Sequence, residues 1–137
     1  MRNIKILKSE YITMINGAKA AFPYEGCGLI AGTIENEVKI IKKVYVLENI
    51  DKSEEHFSID PKEQLKAIKD MRSQNLRPLG NWHSHPSTPS RPSNEDKLLA
   101  FDKSASYFIV SLKDEDVVVN SFHIENDESE KENLEII

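Results

Sequence analysis

Apolar residues change their spacing from segment to segment along this chain, and the changes mark out its elements. Residues 3–8 alternate, with Ile4 and Ile6 set against Lys5 and Lys8, and predict a short strand. Ser9 reads as the N-cap of a helix over 10–21. Its apolar positions Tyr11, Ile12, Ile15, Ala18 and Phe22 recur at helical spacing until Pro23 stops it. Residues 25–32 predict a strand so rich in small residues that something must approach its backbone closely. Asn36 marks a turn before a long β-rich stretch over 38–47, the polar residues 49–56 read as loop, and 57–59 as a short strand. Asp60-Pro61 opens a second helix with Asp as N-cap, Pro at its first position and Glu63 at its third; Leu65, Ile68 and Met71 give it an apolar stripe, and it ends near Asn75. Residues 79–85 form the next strand, and Ser93 caps a short third helix holding Leu98, Leu99 and Phe101. Residues 107–112 and 117–124 read as two strands joined by an acidic turn. The stretch 125–133 carries five acidic residues and one lysine and reads as a solvated, mobile connection, with a small edge strand at 134–137. This interleaving predicts one α/β domain over residues 1–137, with helices layered on a mixed sheet.

Composition narrows the class. A length of 137 residues suffices for one core but not for two. A formal charge of -5 and a pI near 5.4 leave no basic footprint, so nucleic acid is not an expected partner. No apolar run approaches the roughly 20 residues needed to span a bilayer, and the N-terminus lacks the apolar core of a signal peptide. A single cysteine, Cys27, excludes an internal disulfide framework and fits a reducing cytoplasm.

The chemistry gathers in residues 80–96. On a strand, positions i and i+2 face the same way, so His83 and His85 can converge on one point. Asp96 follows beyond a proline-punctuated loop. Two imidazoles and a carboxylate are ligand types that zinc prefers, and three protein ligands leave a fourth tetrahedral position open, as in a catalytic site. Each half has an ordinary reading: paired histidines can decorate a half-buried strand, and Ser93-x-x-Asp96 is a helix-capping pattern. Capping would also hold Asp96 where it can reach a metal. A hydrolytic centre further needs a base. Glu25, the only acid between Thr13 and Ile34, is the candidate. Trp82 points to the opposite face and into the core, Cys27 reads as a small buried hydrophobe, and His56 and His123 as ordinary polar residues, with the loop of His56 able to border the site.

Together, Pro23-x-Glu25-x-Cys27-Gly28-Leu29-Ile30-x-Gly32, His83-Ser84-His85-Pro86 and Ser93-x-x-Asp96 resemble the JAB1/MPN/Mov34 (JAMM) metalloprotease family, in its compact bacterial and archaeal form. The resemblance implies a three-layer fold similar to cytidine deaminases, a curved mixed sheet flanked by helices. It implies one Zn2+ held by His83, His85 and Asp96, with Glu25 as the general acid/base that activates the zinc-bound water and Ser93 helping to stabilise the oxyanion. The implied reaction is hydrolysis of the amide bond after the C-terminal Gly-Gly of a small ubiquitin-like or sulfur-carrier protein, with a homodimer left open. Two alternatives stand beside it: a non-catalytic module that binds ubiquitin-like tails, and a zinc amidase acting on a small substrate. A nucleoside deaminase needs a Pro-Cys-x-x-Cys pair that one cysteine cannot supply.

Overall fold

The computed structural model describes residues 2–137. Eight strands and three helices follow the order β1 (Asn3–Ile6), α1 (Lys8–Ala21), β2 (Cys27–Glu35), β3 (Val38–Leu47), α2 (Pro61–Ser73), β4 (Arg77–His85), α3 (Asn94–Leu98), β5 (Ser106–Ser111), β6 (Val118–Glu125), β7 (Glu128–Lys131) and β8 (Asn133–Ile136). The strands form one sheet in the order β7-β6-β5-β4-β2-β3-β1-β8. Pairing is mixed: β4 with β5, β1 with β3 and β1 with β8 run parallel, and the rest antiparallel. Strands β7 and β8 lie at opposite ends of this order, yet only Glu132 separates them in sequence. The sheet must therefore curve until its ends approach. Glu132 holds the seam, its backbone N–H donating to the Ser121 carbonyl of β6 and its carboxylate accepting from the Ser121 hydroxyl at 2.6 Å.

Helix α1 fills one face of the curved sheet, where Met14 and Ala18 pack with Ile4, Ile6, Trp82 and Phe108. On the other face, α2 lays Ala67 and Met71 against Leu29 and Ala31 of β2. Further along that face, Tyr107 and Ile109 of β5 pack with Phe122 and Ile124 of β6. The sequence-predicted curved α/β fold with a mixed sheet is what forms. No helix among the described residues is long and apolar enough to cross a membrane.

Several local expectations change. Ser9 is not the N-cap of α1: the cap position is Leu7, which offers no side-chain bond. The first-turn donor of Lys8 is met instead by the Ile137 carbonyl, so a tertiary backbone contact replaces the cap. The buried stripe of α1 also runs through Met14, Gly17 and Ala18, while Ile12 and Phe22 are exposed. The period is right and the expected stripe is partly kept: Ala18 is buried and Tyr11 packs against the core, while Met14 and Gly17 take the places of Ile12 and Phe22. The helix seats its smallest residues on the sheet, and a Cβ at Gly17 would lie 2.9 Å from Val46 and 3.1 Å from Trp82. Helix α2 starts as expected, with the Asp60 carboxylate accepting from the Lys62 N–H, but Leu65 is exposed and Ala67 takes its place in the core.

Residues 57–59 do not pair as a strand; they close a loop held by side chains. Phe101 lies beyond the end of α3 and is exposed. The 125–133 stretch is not a mobile connection. Asn126 and Asp127 take positive φ in a tight turn, and β7 then pairs antiparallel with β6. The acids of β7, Glu128 and Glu130, stand on an edge strand that faces solvent, which is compatible with high charge, while Glu132 just beyond it is buried at the seam.

Candidate metal centre

Antiparallel pairing of β2 with β4 sets Cys27 opposite His83. The start of β2 and the end of β4 therefore share one end of the sheet. Glu25 sits just before β2, and His83 and His85 are the last alternate residues of β4 on the face away from α1. Trp82 points the other way, as expected. Its indole crosses over Gly28 and donates to the Tyr45 carbonyl at 3.0 Å. This explains the small residues of β2, because a Cβ at Gly28 would stand 1.7 Å from the Tyr45 oxygen and 2.5 Å from the Trp82 Nε1. Ser84, between the histidines, accepts from the Gly26 N–H at 2.7 Å and ties the two strand ends together.

Asp96 arrives from α3. Ser93 is its N-cap in a reciprocal box: the Ser93 hydroxyl oxygen accepts from the Asp96 N–H at 3.0 Å, and the Asp96 carboxylate accepts from the Ser93 N–H at 2.9 Å. The capping and the ligand-like readings of Ser93-x-x-Asp96 thus describe one geometry. His83 Nε2, His85 Nε2 and Asp96 Oδ2 form a triangle with every edge 3.1 Å. For bonds of about 2.0 Å to one tetrahedral ion the edges would be about 3.3 Å. His85 Nδ1 donates to the Pro89 carbonyl at 2.9 Å, which leaves Nε2 as a lone-pair donor in the neutral ring. Two ring lone pairs and a carboxylate aimed at one point repel one another unless a cation or a proton lies between them. The donor set fits a divalent metal, and these three residues form a group that could hold one.

Electrostatics supports the fit. Burial alone would raise the pKa of Asp96, but hydrogen bonds to His83 and His85 outweigh it and hold the carboxyl well below the usual range. Burial likewise disfavours charge on His85, yet its bonds to Asp96 and Pro89 raise its pKa.

Glu25 is 3% exposed, and its Oε1 has no hydrogen-bond partner among the described residues. Burial is the main reason its pKa rises to about 8, with His85 pulling the other way and Asp96 adding to the rise. An unpartnered buried carboxyl needs a reason to be there. Cys27 is fully buried and its thiol is pushed up to about 12, chiefly by burial, so it is no nucleophile. His56 and His123 each lie near an acid, Asp51 and Glu125, outside the cluster.

Two contributors were not read from the sequence. Phe57 stacks on the His83 ring with centroids 5.0 Å apart and planes 26° from parallel. Asn49 uses its amide four times: it donates to the carbonyls of Glu25 and His56 and accepts from the N–H groups of Asp51 and Ser58. A lone Asn ahead of a polar loop carries no signal of this kind, because its partners are set only by the folded loop.

Comparison with known proteins agrees with this architecture. The family described as prokaryotic homologs of the JAB domain matches residues 8–125. A CysO-cysteine peptidase of Mycobacterium tuberculosis is 28% identical over 112 residues, covering 81% of this chain and 75% of the relative. A desampylase of Pyrococcus furiosus is 34% identical over 91 residues, 66% of this chain and 62% of that protein. A solution structure from Desulfitobacterium hafniense superposes with a TM-score of 0.90 at 46% identity, covering 98% of this chain and 92% of its own. A JAB1/MPN domain protein from Archaeoglobus fulgidus follows at a TM-score of 0.63 and 25% identity, with 97% and 98% covered. The match of one family over most of the sheet, together with relatives that are peptidases, places this chain in the prokaryotic JAB family, as a JAMM-type hydrolase.

Proposed function

We propose that the chain is a zinc peptidase that hydrolyses the amide bond after the C-terminal Gly-Gly of a small ubiquitin-like or sulfur-carrier protein. The observation that carries this reading is the 3.1 Å triangle of His83, His85 and Asp96 beside the unpartnered carboxyl of Glu25. His83, His85 and Asp96 are the ligands. When bound there, zinc supplies a Lewis acid that polarises a carbonyl and brings the pKa of its water to about 7.

The chain's own residues do the rest. Glu25 accepts the proton of the attacking water and returns it to the leaving amine. Its burial, which lifts the pKa to about 8 in the metal-free protein, keeps its protonated form accessible. A cation nearby would lower that value toward neutrality, so the same carboxyl can take the proton in the first half and return it in the second. The cap engages the Ser93 oxygen only as an acceptor, so its O–H proton is available to the developing oxyanion. A Gly-Gly tail has no side chains to exclude it from a narrow cleft, and its extended backbone suits docking against strand ends. The name of the mycobacterial relative, a CysO-cysteine peptidase, supports this class of substrate.

The test is direct. Purified protein should contain close to one zinc per chain and cleave a Gly-Gly carrier that bears a C-terminal extension. Chelation should stop the reaction, and Glu25→Gln should lower kcat by roughly 10²–10⁴-fold while retaining zinc. Carrier binding with no turnover in the zinc-loaded wild type would instead favour a binding module. Turnover of small amides without any carrier would favour an amidase.

A further inference from the structure

The two candidate histidine ligands are oriented by different means. His85 follows the common pattern for a metal-bound imidazole, its second nitrogen tied to a carbonyl, here that of Pro89. His83 has no such tie: its Nδ1 is buried and has no hydrogen-bond partner among the described residues. What its ring does have is Phe57, stacked nearly parallel at 5.0 Å. Phe57 in turn belongs to no strand or helix. Its loop is pinned at both ends by Asn49, which accepts from the N–H groups of Asp51 and Ser58 and donates to the carbonyl of His56. The same side-chain amide nitrogen donates to the carbonyl of Glu25, and the Glu25 N–H is held by the Ser53 carbonyl of that loop.

Resting on the metal-site reading above, we propose that Asn49 and Phe57 act together as positioning residues. Phe57 fixes the ring plane of His83 by stacking where a hydrogen bond is missing, and Asn49 locks that stacking loop to the backbone of Glu25. The metal ligand and the proton carrier are then held in register by one strap. A flat aromatic face is the feature His83 needs, because the torsion about the imidazole Cβ–Cγ bond is intrinsically broad and a stacked ring favours one plane where an aliphatic side chain does not. Asn49 is 8% exposed with both amide groups engaged, so its role does not depend on solvent.

The experiment measures zinc affinity by chelator competition on the whole chain, alongside thermal unfolding of the metal-free protein. Phe57→Leu should raise the zinc dissociation constant by ~10-fold or more, the range typical of lost ligand orientation, and leave the metal-free unfolding midpoint nearly unchanged. Phe57→Tyr, which restores the ring, should recover nearly all of the affinity. Asn49→Ala should weaken zinc binding as well, and in the double variant the losses should not multiply, because both act through one contact. Should Asn49→Ala fold poorly, Phe57→Leu against Phe57→Tyr still decides the stacking. Wild-type affinity in Phe57→Leu, or losses that multiply, would overturn the proposal. A wild type that takes up no zinc would overturn the metal-site reading instead.

Discussion

Half of the candidate centre is carried by the sheet and half by loops, and the halves are held by different forces. His83 and His85 end a strand that is paired on both sides, with β2 and with β5, and both are buried. Their placement follows from main-chain ladders and the close approach over Gly28. Asp96 stands on a five-residue helix with no buried residue, and Phe57 on a loop without regular structure. Those two are placed by side-chain hydrogen bonds, from Ser93 and from Asn49. The difference teaches where the site tolerates change. The sheet half should fail globally, together with the fold, and the loop half locally, with the fold intact.

The largest expected break lies in the sheet half. Gly28→Ala would drive a Cβ into the Tyr45 carbonyl and displace the Trp82 indole from its bond. Overpacking plus a lost buried hydrogen bond should cost about 3 kcal/mol or more, read as a fall in the denaturant midpoint. Unchanged stability would mean that the strands can part without penalty and that the sheet half is not rigid.

An effect of similar size, on the order of a few kcal/mol but spread over several pH units, should come from pH acting on Glu25 in metal-free protein. Its folded pKa of about 8 stands above the ordinary carboxyl value of 4.5, so the unfolded chain loses this proton first. The associated stability is fully present below 4.5 and is lost as pH rises through 8. His85, also raised, contributes with the same sign from 6.5 upward. Asp96, lowered, contributes with the opposite sign, only as pH falls below 3.8. Unfolding free energies of the metal-free protein should therefore decline across this window in wild type, and more gently in Glu25→Gln. Parallel curves for the two would remove burial as the cause of the shift.

The smallest effect belongs to the loop half. Ser93→Ala removes the cap of α3 and should cost about 1 kcal/mol. Hydrogen exchange should rise in residues 94–98 and remain as in wild type along β4, whose ladder does not depend on the cap. Faster exchange along β4 as well would erase the distinction between the halves.

The same division governs what could be read from the sequence. His83-x-His85 and Ser93-x-x-Asp96 were legible because strand alternation and helix capping are local rules. The structure brings them together, and it leaves Glu25 near the same end of the sheet. The α1 stripe was legible in part: Tyr11 and Ala18 do face the core, but only the sheet's shape selects Met14 over Ile12. Strand β7 was hidden by its charge: an acidic stretch looks like tail until Asn126 and Asp127 turn it back on β6. Phe57 and Asn49 act through partners distant in sequence and outside their loop, His83 for the one and Glu25 for the other, where no spacing rule reaches.

The seam at Glu132 has a consequence for the order in which this chain can fold. Strand β1 lies between β3 and β8, so one of its edges finds its partner near residue 39 and the other only at residue 133. Strand β1 therefore leaves the ribosome long before it can be fully paired. The sheet on which α1 packs is completed on this side only once β8 has been made. Such long-range pairing slows folding. It also makes closure a late event, well after β4 can pair with β2 and bring Glu25 to the same end of the sheet as His83 and His85.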